Sequence, residues 1–307
     1  MNTATRLTGF GIGLLAVLGI GMATGSAVGP SRPAGDDHDQ LDTHDRANPA
    51  PTAKAGAGVV SAAEGYRLVP TASLLPSGGG QFQFRILGPG ERVVAEYTTA
   101  HERDLHLIVV DRELTTYHHL HPTLDPGGLW SVPVPALDPG AFRAIADFRV
   151  ANGPALVLGT DLSVAGDYQP RPVPEPSTSA QVDGDGVDGY EVELTATPAA
   201  GEGTTADFTV RRAGTIVTDL QPYLGAAGHL VAIRTGDLAY AHVHPLGGAA
   251  HAITFAVQLP SAGRYRLFLD FKHGGVVRTA SFTYDQVRAE KAGVGQGTVG
   301  NSPGEGH

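Results

Sequence analysis

Apolar and polar side chains alternate with a period of two along several short stretches of this chain. Examples are "QFQFRI" (Gln81 to Ile86), "LHLIVV" (Leu105 to Val110), "WSVPV" (Trp130 to Val134) and "RYRLFLDF" (Arg264 to Phe271), set apart by clusters of Gly, Pro and Asp. Successive side chains of a strand point to opposite faces, so this alternation predicts half-buried strands joined by turns. No helical period is present beyond the first 28 residues, and the pattern predicts an all-β protein.

The strand pattern occurs twice. Val93 to Phe148 aligns with Ile216 to Phe271 without a gap at an offset of 123 residues. A chain of 307 residues is long enough for two domains with cores of their own. The repeat places them at 62–168 and 187–286, with the Pro-rich segment 169–186 as a stiff linker. About seven short strands per copy predict two tandem immunoglobulin-like β-sandwiches. "LDPGAFR" (Leu137 to Arg143) and "PSAGRYR" (Pro260 to Arg266) support that topology. Each sets a turn glycine two residues before an aromatic, Phe142 or Tyr265, resembling the corner before the sixth strand of such sandwiches.

The two ends differ from this pattern. Residues 1–28 carry one positive charge, Arg6, and then an uncharged, mostly small and apolar run from Leu7 to Val28. Such a segment reads as a signal peptide or a membrane anchor and predicts an extracytoplasmic protein, secreted or membrane-anchored. Residues 29–61 and 287–307 are poor in large apolar side chains and read as a disordered tether and tail.

Composition narrows the chemistry. With 21 Lys and Arg against 31 Asp and Glu, the net charge of −10 repels nucleic acid, and no basic patch offsets it. There is no cysteine, and both methionines, Met1 and Met22, lie in the leader, so the remainder has no sulfur ligand and no thiol nucleophile. No serine triad or glycosidase-like pair of carboxylates is visible, which points away from an enzyme.

Histidine is the residue type that stands out. The spacing H-x12-H-x-H occurs at His106, His119 and His121 and again at His229, His242 and His244. If Arg112 and Glu113 form the centre of a hairpin turn, His106 lies across from His119 and Asp104 from His121. The same register sets His229 across from His242 and Val231 across from Tyr240. Opposed Cβ atoms are roughly 5 Å apart, so each copy gathers three imidazoles on one sheet face. Three histidines without sulfur suit copper(II) or zinc. Asp104 could be a fourth ligand or orient an imidazole in copy one, while Ala227 at the matching place cannot. The spacing leaves open whether the two trios meet in one centre.

Other residues carry weaker signals. His118 matches Ala241, and His101, His251 and His273 have no counterpart in the other copy. Asp147 and Asp270 recur four residues after Arg143 and Arg266, as an ion pair would require, although a carboxylate holding an imidazole N–H gives the same pattern. "PYLGAAGH" (Pro222 to His229) predicts a close backbone approach beside His229. "HLHPTLD" resembles the metal motif of cupin barrels, but copy two lacks the acid.

The blocks "YHHLHP…GLWSVPVPALDPGAFRAIADF" and "YAHVHP…PSAGRYRLFLDF" resemble a group of exported or membrane-anchored two-domain proteins of high-GC bacteria. In theme the chain is also similar to the CopC-type copper-resistance β-sandwiches, on His106, His119, His121 and their copy-two equivalents alone. That second resemblance implies copper binding, and the lack of methionine departs from carriers with thioether sites. The expected function is extracytoplasmic buffering or delivery of copper(II) or zinc, with the ion and another envelope protein as partners. The competing expectation is a cell-surface interaction or scaffold module with structural histidines.

Overall fold

The computed structural model describes residues 56–184, 189–198, 203–246 and 253–286. The leader, the tether up to residue 55, His251 and the tail lie outside the described residues. Among the described residues no helix is long and apolar enough to cross a membrane, and the one helical element is the 3-10 turn Pro89–Glu91.

The first repeat contributes β1 (Ala62–Ala63), β2 (Tyr66–Pro70), β3 (Leu74–Leu75), β4 (Gly80–Gly88), β5 (Arg92–Val93), β6 (Leu105–Asp111), β7 (Tyr117–Leu120), β8 (Thr123–Leu124), β9 (Trp130–Val134), β10 (Gly140–Arg149) and β11 (Ala155–Val164). The second contributes β12 (Ser179–Val182), β13 (Tyr190–Pro198), β14 (Gly203–Arg212), β15 (Thr215–Ile216), β16 (His229–Arg234), β17 (Tyr240–Leu246), β18 (Ile253–Gln258), β19 (Gly263–His273) and β20 (Val276–Gln286). The second sandwich therefore starts inside the segment expected to be linker, where β12 pairs with β13.

In the first sandwich β1-β2-β4-β9-β8 form one sheet and β3-β11-β10-β6-β7 the other. Strand β3 runs parallel to β11 and the other described ladders are antiparallel. This is the Greek-key order of an immunoglobulin-like sandwich, as the alternation predicts. The second repeat runs β12-β13-β14-β18-β17-β16-β19-β20, and β17 serves both layers, pairing first with β16 and then with β18. Each sandwich closes on its own apolar core. Phe82, Phe84, Ile86 and Trp130 face Leu105, Leu107 and Phe148 in the first, and Phe208 and Phe255 face Leu267, Leu269 and Phe282 in the second.

The aromatic corner is present in the second copy. Tyr265 Oη donates to the carbonyl of Ser261, 3.0 Å away, while Phe142 fills the matching place as a buried ring. Tyr265→Phe is expected to lower stability by about 1 kcal/mol, the net worth of one such bond. Urea unfolding checks this, and an unchanged midpoint would show that the corner contributes nothing.

The β6–β7 hairpin differs from the expected register by two residues. Ile108, not His106, lies across from His119, and Val110 lies across from Tyr117. The turn is longer because the Asp111 carboxylate accepts the N–H groups of Thr115 and Thr116, at 2.7 and 2.8 Å, and Leu114 tucks inward with a positive φ of 55°. The second copy makes the same change, with Ile233 across from Tyr240 and Leu238 at φ 59°. A slip of two residues is one full pleat, so the face of each histidine on these strands is kept.

A third apolar cluster joins the sandwiches. Ile108, Val110, Leu114 and Ile145 of the first pack on Val231, Ile233, Leu238, Tyr240 and Phe268 of the second. All seven residues of β6 are buried, because one face lines its own core and the other meets the neighbouring sandwich. The contact is reciprocal. The Tyr117 ring stacks on Phe268 with centroids 4.2 Å apart, and its hydroxyl donates to Asp270 at 3.2 Å. Tyr240, the repeat equivalent of Tyr117, bonds to Asp147, the equivalent of Asp270. Residues 56–60 fit alongside: Tyr240 N–H donates to Ala57 and Gly58 N–H to Val157. Gly159 permits this passage, since a Cβ there would stand 1.9 Å from the Gly58 carbonyl oxygen.

Candidate metal centre

The first trio converges at this boundary. One ring nitrogen from each of His106, His119 and His121 lies within 4.8 Å of the others. His106 sits on β6, in the pair with Asp147 of β10, and His119 on β7. His121 follows β7, where the chain leaves this sheet for β8 in the opposite one.

The hydrogen bonds fix which nitrogens carry protons. His106 Nε2 lies 3.2 Å from the Ala100 carbonyl oxygen, which can only accept, so this nitrogen donates and Nδ1 bears the lone pair. His119 Nδ1 lies 2.9 Å from Asp270 Oδ2 and donates to the carboxylate, leaving its Nε2 with a lone pair. These two lone-pair nitrogens, His106 Nδ1 and His119 Nε2, face each other at 3.0 Å. His121 Nε2 is buried with no hydrogen-bond partner among the described residues. Two acceptors thus face each other beside a buried His121 nitrogen that has no partner among the described residues. Nitrogens sharing one ion at 2.0–2.1 Å stand about 3 Å apart in neighbouring coordination positions.

Electrostatics keep the rings neutral. Burial lowers the pKa of His106 to about 4 and those of His119 and His121 to about 3, the neighbouring imidazoles adding to the effect on the latter two. Neutral imidazole is the form that binds a metal ion. Asp270 has both oxygens engaged. Thr279 donates to Oδ1 at 2.6 Å, while Tyr117 and His119 share Oδ2. Burial nonetheless raises its pKa to about 6. A carboxylate behind a ligand imidazole sets the tautomer and increases the basicity of the facing nitrogen.

The ion pairs expected within each repeat are absent, and the arginines serve elsewhere. Arg266 donates to the Leu114 carbonyl at 3.1 Å and to Thr283, and Arg143 to the carbonyls of Gly58 and Val59 and to Asp161. Asp270 instead holds an imidazole of the other sandwich. The periodic "LDF" signal marked the residue, while its partner depends on docking that the repeat does not encode.

In the second copy the three histidines belong to two different strand pairings. His229 on β16 turns to the first trio, its ring centroid 5.4 Å from that of His106 and 4.6 Å from that of His119. His242 and His244 lie on the part of β17 that pairs with Gln258 and Ala256 of β18, and the His242 side chain lies outside the described residues. His244 is half-buried and its pKa is lowered by burial and by His101.

Asp104 takes the Thr99 hydroxyl. His118 lies across from Val109, a core residue on the side of β6 away from His106. His273 bonds to Tyr190 and Asp219. His101, unmatched in the other repeat, nevertheless approaches, with its ring 6.2 Å from His106 and 6.0 Å from His229. The glycine-rich stretch does bring backbones close beside His229: a Cβ on Gly228 would stand 3.0 Å from the Asp270 carbonyl oxygen.

A family model described as a domain of unknown function (DUF8832) matches residues 185–288, the second sandwich. No curated protein matches the chain. Among solved structures, the chain is similar to the N-terminal Ig1-2 module of the Drosophila receptor protein tyrosine phosphatase DLAR. Identity is 11% over 72% of this chain and 99% of that one, with a TM-score of 0.20. A chimeric titin Z1Z2 tandem is 10% identical over 70% of this chain and 97% of its own, with a TM-score of 0.19. Domains 4–9 of the surface layer protein SbsC are 10% identical over 72% and 31%, with a TM-score of 0.21.

Proposed function

We propose that the chain binds copper(II) or zinc through His106, His119 and His121 and buffers or delivers that ion outside the cytoplasmic membrane. The observation that carries this reading is the convergence of three imidazoles, with the lone pairs of His106 Nδ1 and His119 Nε2 facing each other at 3.0 Å and His121 Nε2 without a hydrogen-bond partner among the described residues. In a hydrogen-bonded structural cluster each lone pair would meet an N–H or O–H. The absence of sulfur beyond the leader favours these ions over copper(I). The leader supports action at the cell envelope, with the ion and an envelope protein as partners. The reading is of a carrier and not an enzyme.

A tandem β-sandwich interaction or scaffold module is the second reading, favoured by the fold itself, two immunoglobulin-like sandwiches packed on each other. Its centre would hold a proton where the first reading has an ion. Titration of the chain from residue 29, without an affinity tag, separates the two. One equivalent of copper(II) or zinc bound at micromolar concentration is expected, because the trio forms one centre. A folded protein that binds neither ion at that concentration leaves the scaffold reading.

A further inference from the structure

Resting on the metal reading, we infer that His229 supplies a fourth ligand from the second sandwich, so that the ion is coordinated across the boundary and staples the two halves together. His229 is the repeat equivalent of His106, and the two rings lie stacked at 8° across the contact. Five of the six ring pairs among His106, His119, His121 and His229 have centroids 4.6–5.4 Å apart. Imidazoles sharing a tetrahedral ion have centroids roughly 5 Å apart, given metal–nitrogen bonds of 2.0–2.1 Å. His229 stands outside the tight set of three nitrogens, so its ring must move toward the ion when it binds.

The surroundings of His229 support a ligand role. It leads β16, directly across from Asp270 on β19, and Asp270 already holds His119. The second sandwich thus brings a carboxylate behind one ligand and an imidazole beside it. A carrier closed in this way releases its ion when the halves part, which gives a delivery partner a handle on affinity.

The test uses the chain from residue 29 with zinc and copper(II) as probes. Four imidazoles in the X-ray absorption of the loaded wild-type protein are expected, and three in His229→Gln. The variant's Kd should rise at least tenfold while one equivalent still binds. Hydrogen exchange should slow in β16 and β19 as well as in β6 and β7 when the wild type is loaded, and only in β6 and β7 in the variant. A variant within twofold of the wild type, with the same spectrum, overturns the staple and leaves the three-histidine site standing. A wild type that binds neither ion defeats the underlying reading instead. If His229→Gln does not fold, the wild-type count decides, since three imidazoles there exclude His229.

Discussion

His119→Ala is expected to weaken copper(II) or zinc binding more than about 100-fold, the upper end of what losing a residue behind a ligand costs. Two features make His119 the most sensitive position. Its Nε2 is the lone pair opposite His106 Nδ1, and its Nδ1–H is the connection to Asp270 of the other sandwich. Its side chain is 3% exposed, so water cannot replace it as freely as it would a surface ligand. His118→Ala is the comparison, because His118 is the adjacent residue on β7 but registers with the core-facing Val109. Its affinity should stay within twofold of the wild type. Isothermal titration of both variants is decisive. Equal losses would mean that the ion binds exposed imidazoles at large, and no loss in either would remove the trio from the chemistry.

Much of this arrangement was legible in the sequence, because a period of two fixes faces even where it does not fix partners. His106, His119 and His121 share a face under either register, and the two-residue slip left that unchanged. The turn residue responsible was hidden. Leu114 reads as part of a polar loop, yet it is fully buried because it packs into the contact with the second sandwich. The contact did leave a trace. "LHLIVV" and "HLVAIR" carry Ile108, Val110, Val231 and Ile233 on the faces away from their own cores, and a strand buried on both sides needs such a run.

The fate of the second trio was not legible. In the first repeat the chain stays beside β6 through Leu120, whereas in the second it leaves β16 after Ala241, two residues earlier in the repeat frame. His242 and His244 therefore register with β18 while His229 remains on β16. No residue in "YAHVHP" differs from "YHHLHP" in a way that local propensity would translate into that crossing. Asp270 was visible as a repeated carboxylate, but its partner His119 lies 151 positions away in the other copy. Only packing between the sandwiches creates that pair, and a pattern read within one repeat cannot contain it.

The same burial predicts that the metal-free protein loses stability as the pH falls from 7 to 5. A histidine whose native pKa lies below its unfolded value near 6.5 takes up its proton only on unfolding, so its contribution is present at neutral pH and is lost below about pH 6.5. With native values of about 4 and 3, His106 and His119 each cost about 2 kcal/mol at pH 5 relative to pH 7. His121 and His229 shift in the same direction and deepen the loss. Asp270 opposes it. Its native pKa, raised to about 6, lies above the unfolded value near 3.8, so the native state takes up that proton first and regains about 1 kcal/mol over the same interval. Asp147 is raised in the same sense. The imidazoles outnumber the carboxylates, and the net change is a loss of several kcal/mol, read from urea unfolding at each pH. Saturating zinc should raise stability at pH 7 because it binds the folded state alone. A metal-free protein equally stable at pH 7 and pH 5 would mean that these rings are hydrated and already protonated in the native state, and neither the trio nor its pairing with Asp270 could then be as buried as the fold requires.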